Sequence, residues 1–501
     1  WNLRCSRCPR VYHLPRYCRP KNLGGFDSWI CCSYWFLSFN CPKKEALTVH
    51  EINNEIKALR EEIFEYVRVR MDYDPAPLDS SKSEAELLSQ AGQTVTEQGI
   101  GGHTALKLFE EVLAPATIST DHPGFLSFIP NAATEASSLF DLIVSASSIY
   151  GGSWMEGSGA VFAENQVLSW LAKEVGLPET AGGVFVQGGT IGNLSALVAA
   201  RDAHREMLSK AGVSFTGRLA FIASKEAHSC LKSSAKVMDV DILLVEPEAD
   251  GKLIGTSVQK VIDSAIPNSI FAIVATGGTT NFGIVDDLRG IGEVANANKI
   301  WYHIDGAYGL AGILSPKYRH LFDGSELADS FIVDPHKWLF APFDVCALVY
   351  KNPALARASH TQHGEYLEIL NESGLWNPTD YSFGLTRRTR GLPFWFSLAT
   401  HGIQKYREAI EANIDLAHEA AELIRGLDYL ELVRDPELSV VVFERKGWEL
   451  ADYDRWSEKL LKDEIGFVVP SSHKGKPNTR FAIVNPLTSI ELLSKILESM
   501  K

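Results

Sequence analysis

The sequence predicts an α/β protein with a mostly parallel central sheet, an N-terminal helical arm and a small α+β C-terminal domain. Three patterns lead there. In the middle of the chain, short β-branched runs alternate with longer amphipathic stretches. Upstream the apolar spacing is helical only, and from about Tyr406 helices flank two β-rich runs, "LSVVVFER" and "TRFAIVN". Strands that alternate with helices are joined by crossovers and form parallel sheets covered on both faces. With 501 residues, 45% apolar and 22% charged, the chain can bury a large core. Its net charge of -14 argues against nucleic acid as a partner, because neutralising phosphates needs clustered Lys and Arg.

Residues 1–44 stand apart. They hold eight Lys or Arg and a single acid, Asp27, and six of the eight cysteines: Cys5, Cys8, Cys18, Cys31, Cys32 and Cys41. Cys5 and Cys8, with His13 and Cys18 nearby, form a zinc half-site without a second pair at finger or ribbon spacing, so no metal site is expected. The run "WICCSYWFLSF" is too short to span a bilayer and lacks a small-residue cleavage site. The tail is therefore expected to lie outside the folded body. The body keeps Cys230 and Cys346, a usage that suits a reduced, cytoplasmic protein with two buried thiols.

The elements follow in order. Residues 45–120 form the expected arm: Ile52, Ile56, Leu59, Ile63 and Val67 recur at helical spacing, and a second helical run, "TALKLFEEVLAPATIS", follows the linker "DYDPAPLDSSKSE". Such an arm cannot hide both faces by itself and is expected to pack on another surface, a partner subunit among them. Residues 121–405 form the large domain. There "GVFVQGG", "RLAFIAS", "DILLVE", "IFAIVAT", "IWYHID", "SFIVD" and "CALVYK" read as strands. The stretches "IGNLSALVAARDAHREML", "HSCLKSSAKVM", "SVQKVIDSAI" and "DLRGIGEVANAN" read as helices. Residues 406–501 form the small domain. In parallel sheets of this kind the reactive groups gather beyond the carboxyl ends of the strands.

Several polar residues fall at those ends. Lys337 in "FIVDPHKWLFAPFD" leaves a strand and is followed at once by Trp338, Leu339 and Phe340. Lysines usually snorkel to water. A desolvated one is expected to have a lowered pKa and thus more of the neutral amine that attacks carbonyls to give a Schiff base. Asp305 ends the apolar strand "WYHID", where a carboxylate needs a partner. It reads either as a turn residue before Gly306 or as the partner of a pyridinium nitrogen, with the small Ala307 letting a flat ring approach. "VQGGTIGN" places Gly188, Gly189 and Thr190 between a strand and a helix, a site for phosphate or simply a tight turn. His228 follows a strand and reads as a capping residue or a ring-stacking proton carrier. Thr279 and Thr280 read as turn hydroxyls or as cofactor contacts.

Together "HIDGAYG", "DPHKW", "GGT" and "AHS", with "HPGFLSF" and "RRTRGLPFWFSL", resemble the group II pyridoxal phosphate (PLP)-dependent amino acid decarboxylases, the aromatic-L-amino-acid decarboxylase-like branch above all. The resemblance covers nearly all of residues 50–501. It implies a PLP-dependent transferase-like, fold type I large domain and a homodimer with the site at its interface. It makes Lys337 the residue that links PLP, Asp305 the partner of the pyridine nitrogen, and His228 and Ala307 the two faces around the ring. Gly189, Thr190 and His336 are implied at the phosphate, Thr279 beside cofactor and substrate, and Tyr366 as the loop tyrosine that returns a proton after CO₂ leaves. Phe125, Phe128, Ile129, Pro130 and Tyr150 are expected to wall a pocket for an aromatic or apolar side chain. Asp334 departs from the asparagine of the animal enzymes, and an acid facing phosphate is repelled. Tyr150 and Gly152 also depart from the family pattern. The expected activity is decarboxylation of an L-amino acid to its amine, without membrane or nucleic-acid partners. The alternatives are an aldehyde synthase or other carbon–carbon lyase on the same fold, or a non-catalytic metal-binding protein acting through the Cys-rich tail.

Overall fold

The computed structural model describes residues 48–50, 52–371 and 374–501. The Cys5, Cys8, His13 and Cys18 group lies outside the described residues. The chain divides into two compact units, residues 1–57 and 58–501. In the first, the described residues form a short 3-10 turn, Thr48–His50, and the start of a helix, Asn54–Met71. All that follows concerns the second unit.

A seven-stranded sheet carries the middle of the chain. Its strands are β1 (Gly182–Val186), β2 (Ala220–Ser224), β3 (Asp241–Val245), β4 (Ile270–Thr276), β5 (Trp301–Asp305), β6 (Ser330–Val333) and β7 (Cys346–Tyr350). Their spatial order is β1-β7-β6-β5-β4-β2-β3. The pairs β2·β3, β2·β4, β4·β5 and β5·β6 are parallel, whereas β7 runs antiparallel to both β1 and β6. The reversal has a simple cause. A parallel return needs a crossover of a dozen or more residues, usually helical. Between β6 and β7 the only helix is the four-residue Pro335–Trp338.

Each strand expected in this region is present, and the connecting helices Gly189–Lys210, Cys230–Met238, Gly255–Ser264 and Leu288–Asn298 match the amphipathic stretches. Gly192 shows how closely helix and sheet pack: a Cβ there would come within 2.8 Å of Ile332 and 3.0 Å of Cys346. The sheet interior is filled by Phe221, Phe271, Tyr302, Phe331 and Tyr350, all fully buried.

The C-terminal part is a second, antiparallel sheet. It consists of β8 (Leu430–Leu432), β9 (Val440–Arg445), β10 (Pro470–His473) and β11 (Lys476–Ala482), in the order β10-β11-β9-β8. The short β8 and the polar β10, "PSSH", carry little apolar signal and are additions to the two strands read from sequence. Strand periodicity lets β9 serve two cores. Val441 and Phe443 pack with Phe481, Tyr453 and Leu493, while Val440 and Val442 join the core of the large sheet.

Upstream, the helix Glu84–Ala91 is closed by a Ser83/Glu86 capping box, and Gly102–Leu108 follows. Neither helix, nor Asn54–Met71, buries a single residue in this chain.

Candidate active site

The carboxyl ends of the parallel strands open onto a cavity of about 370 Å³. Gln187, Gly188, Gly189 and Thr190 line it from the β1 turn, His228 and Cys230 from the turn after β2, and Asp305 and Ala307 from the end of β5. Asp334, His336 and Lys337 close it from the end of β6. Residues scattered over 150 positions of sequence thus meet because strand order, not chain order, sets who is adjacent.

Lys337 sits on the one-turn helix Pro335–Trp338, whose far side is anchored. Trp338 is fully buried, stacks on Tyr308 with ring centroids 5.3 Å apart, and donates from Nε1 to Asn413 Oδ1 at 3.0 Å. Asn131 Nδ2 donates to the carbonyls of His336 and Ala341, fixing the segment from the other side. The amine itself is paired: Lys337 Nζ lies 2.8 Å from Asp334 Oδ2. This corrects one expectation. Burial alone would lower the pKa of Lys337, but Asp334 and then Asp305 outweigh it and hold the ammonium above its ordinary value. The apolar neighbours anchor the helix; the acids set the charge. Asp334 therefore points into the cavity and does not turn away from it. Its Oδ2 is 3.8 Å from His336 Nε2, while Oδ1 is buried without a hydrogen bond of good geometry among the described residues.

Asp305 is 4% exposed. Burial raises its pKa, opposed by the Lys337 charge and then by donation from Asn193 and the Ala307 N–H. Asn193 Nδ2 donates to Oδ2 at 2.9 Å, and Ala307 N donates to Oδ1 at 3.3 Å. His336 is held by Val345, whose carbonyl lies 2.7 Å and whose N–H lies 3.0 Å from Nδ1. Burial lowers its pKa, so the ring is neutral near pH 7. His228 sits two residues before the helix Cys230–Met238 and receives the Cys230 N–H on Nδ1 at 3.3 Å.

Do these groups fit a phosphate-bearing pyridine? At the N-terminus of the 22-residue helix Gly189–Lys210, Gly188 leaves the approach open, and its absent Cβ would meet nothing nearer than 3.8 Å. At Gly189 a Cβ would come within 3.3 Å of Ala307, so a side chain would crowd the ring side. A helix N-terminus with free N–H groups suits phosphate, a buried carboxylate at the other end suits a ring nitrogen, and an amine stands between. The fit is good.

The remaining expected residues are placed differently. Thr279 does not line the cavity: its Oγ1 accepts from Ile284 N at 3.1 Å, the turn role, while Thr276 and Thr280 do line it. The hydroxyls beyond β4 cannot be assigned by period two, because the turn at Gly277 and Gly278 ends the strand. Phe125, Phe128, Ile129, Pro130 and Tyr150 are also absent from the lining. Phe125 stacks edge-on against Phe467 at 4.9 Å, Phe128 is 59% exposed, and Tyr150 donates to the Leu385 carbonyl at 2.7 Å. Ile129 packs against the large core, and Pro130 is buried. Tyr366, in the turn Glu365–Leu367, is 74% exposed.

Sequence reasoning missed Arg480. It is half-buried beside Thr280, to whose carbonyl it donates, and burial lowers its pKa with only the Tyr308 phenol opposing. A cation half-buried without a carboxylate close enough to oppose that shift is the available signal, and only the structure supplies it.

Residues 99–446 match the family described as the pyridoxal-dependent decarboxylase conserved domain. The chain is 29% identical over 440 residues, 85% of its length and 90% of the relative's, to the aromatic-L-amino-acid decarboxylase of Bacillus atrophaeus. It is 28% identical to the 3,4-dihydroxyphenylacetaldehyde synthase of Aedes aegypti, covering 78% of each chain. Among solved structures it superposes on Oryza sativa TDC, crystallised with PLP and tryptamine, with a TM-score of 0.80 and 25% identity over 90% of this chain and 98% of that one. The family match takes in every residue lining the cavity, and the chain belongs to the pyridoxal-dependent decarboxylase family.

Proposed function

We propose that this protein converts an aromatic L-amino acid to its amine and CO₂ in the cavity closed by Lys337 and Asp305. The observation that carries the reading is that the two face one cavity whose third wall is a glycine-opened helix N-terminus. Bound PLP supplies an electron sink for the pair left when CO₂ departs. Lys337 is the amine that holds the cofactor and exchanges with substrate. Asp305 keeps a proton on the ring nitrogen. Gly188, Gly189 and Thr190 present N–H groups to the phosphate, with His336 beside them. His228 and Ala307 bracket the ring, and the cavity-facing threonines are Thr276 and Thr280. Arg480 offers a cation for the substrate carboxylate. Tyr366 returns a proton to carbon, and its turn must move toward a cavity to do so. The aromatic preference rests on the relatives' activities.

The site is completed by a homodimer. Ile63, Phe64 and Val69 on the arm helix, with Ile143 and Phe162 nearer the sheet, expose large apolar surface that a monomer would leave in water. Phe128, open to solvent in one chain, is available to wall the pocket across that interface. The two described cysteines, both free and buried, suit the cytoplasm. Among the described residues no helix is long and apolar enough to cross a membrane.

A relative that forms aldehydes keeps a second reading open, namely oxidative conversion of the same substrates. Tyr366 favours plain decarboxylation, because the aldehyde synthases that the chain resembles typically carry phenylalanine at that loop position. The test is a screen of L-tryptophan, L-tyrosine, L-phenylalanine and L-DOPA with PLP-loaded protein. Amine and CO₂ in equal amounts without oxygen uptake are expected, and Tyr366→Phe should divert product toward aldehyde. Aldehyde and oxygen uptake in the wild type, or no turnover of any of the four, overturns the reading.

A further inference from the structure

Behind Asp305 lies a buried chain of side chains that the proposed reaction does not itself require. Trp301, His303 and Asp305 are alternate residues of β5 and so project to one face of the strand. Ser330 on β6 is the register partner of His303, and Asn193 comes down from the helix Gly189–Lys210. The links are short and continuous. Trp301 Nε1 donates to Ser330 Oγ at 2.8 Å, and Ser330 Oγ lies 2.8 Å from His303 Nδ1. His303 Nε2 lies 2.8 Å from Asn193 Oδ1, and Asn193 Nδ2 donates to Asp305 Oδ2 at 2.9 Å.

The direction of each bond follows from the chemistry at the ends. An ionised carboxylate only accepts, so Asn193 turns its NH₂ to Asp305 and its oxygen to His303. That oxygen needs a donor, so His303 carries its proton on Nε2. Indole N–H only donates, so Ser330 accepts from Trp301 and gives its own proton to His303 Nδ1. Every proton has one place. His303 and Ser330 are fully buried, Asn193 is 1% exposed, and no water is needed to complete the chain. The second Asn193 amide proton faces Cys230 Sγ at 3.3 Å.

We propose that Trp301, Ser330, His303 and Asn193 are positioning residues: a one-directional hydrogen-bond relay that locks His303 as the neutral Nε2–H tautomer and aims Asp305 at the cofactor's ring nitrogen. The proposal deepens the PLP reading of the site and rests on it for the role of Asp305. Burial drives the His303 pKa down to about 3, so the relay keeps one protonation state across the working range. Other charged and titratable groups also face Asp305: Lys337 from the short helix, His228 and Cys230 from around the helix Cys230–Met238, and Cys346 from β7. The relay and the Ala307 N–H meet Asp305 as neutral donors, and removing the relay leaves these charges in place. Losing the Asn193 donor makes Asp305 easier to protonate, so the acid limb of every Asp305-dependent property moves to higher pH.

The test has two arms on the full-length protein. Nitrogen-15 solid-state NMR of histidine-labelled protein, with His303 identified by its loss in His303→Gln, should show the Nε2–H tautomer, unchanged between pH 5.5 and 8.5 as a working window. An Nδ1–H tautomer, or titration in that window, overturns the relay whether or not the cofactor reading is right. In the second arm, the visible absorbance of bound PLP is followed against pH. Asn193→Ala should bind PLP about tenfold more weakly, the loss of one bond to a charged group, and move the acid midpoint upward. Ser330→Ala should move it the same way by less. Ser397→Ala is the control, a buried hydroxyl bonded to Thr134 and Tyr406 away from the cavity, and should leave the midpoint in place. An unmoved midpoint in Asn193→Ala, or an equal shift in Ser397→Ala, overturns the proposal. Wild type without PLP absorbance at any pH instead counts against the cofactor reading.

Discussion

The two ends of the cavity are built on opposite plans. At the Asp305 end a carboxylate, which also faces the Lys337 charge, is hydrogen-bonded by neutral donors backed by a continuous chain, and every hydrogen-bonding group of that chain has a partner. At the Lys337 end a bare ion pair, Lys337 with Asp334, carries the charge, and Asp334 Oδ1 goes without a good hydrogen bond. A fully satisfied polar network holds one geometry, whereas a partly satisfied one is ready to rearrange. On the proposed reading the first end is preset for a ring nitrogen, and the second gives up its ion pair when Lys337 reacts; its acid lies within 3.2 Å of where a Gly189 Cβ would stand.

The contrast can be broken from either side, and the largest effect belongs to the preset end. Asp305→Asn keeps the shape but removes the charge opposite the ring nitrogen. Loss of a preorganised electrostatic partner should lower kcat by about 10²–10³-fold, with KM changed far less. Steady-state kinetics on the preferred amino acid decide it, and a kcat within threefold of wild type, well short of that range, would remove Asp305 from its role.

At the other end, Asp334→Asn should act on loading rather than on turnover. Without Asp334, burial lowers the pKa of Lys337 and more of the neutral amine is present near pH 7. A negative charge beside the phosphate also disappears. PLP uptake, followed by stopped-flow absorbance, should become several-fold faster at neutral pH, its alkaline rise displaced to lower pH. The same pair has a stability signature. A lysine whose folded pKa is raised stabilises the fold below its unfolded pKa and loses that contribution as pH climbs through the folded value, so alkaline destabilisation above about pH 10.5 should be weaker in Asp334→Asn. An unchanged pH profile of uptake would show that Asp334 does not control the amine.

The smallest effect concerns His303. Its pKa is lowered to about 3, so below the ordinary value the unfolded chain binds a proton that the folded chain refuses. Folded stability therefore falls as pH drops from about 6.5 toward 3, by up to about 1.4 kcal/mol per pH unit for one such group. Urea unfolding at pH 6.5 and 5 should show a shallower loss in His303→Gln. Equal slopes would mean that His303 is not held neutral.

The same contrast explains what could be read without coordinates. Strands and crossover helices between residues 182 and 351 follow from periodicity, which depends only on neighbours in sequence. Lys337 and Asp305 stood out because each breaks an apolar run at a strand end. The charge on Lys337 does not follow from its apolar neighbours Trp338 to Phe340, because Asp334, three residues back and thus on the same face of one helical turn, decides it. The relay was invisible for a different reason. His303, Ser330 and Asn193 look like ordinary strand and helix residues until β5, β6 and one helix are brought side by side. The residues expected to form an apolar substrate wall, Phe125 to Pro130, do not line the single-chain cavity; on the proposed dimer they would serve the partner's site, which a single sequence does not indicate.

The central claim is that Lys337 carries the cofactor. Borohydride treatment of PLP-loaded protein, followed by peptide mass mapping, tests it most directly. The account predicts the reduced pyridoxyl mass on the peptide containing Lys337, and no label in Lys337→Ala. Label on another lysine, or none on a protein that turns over substrate, would contradict it.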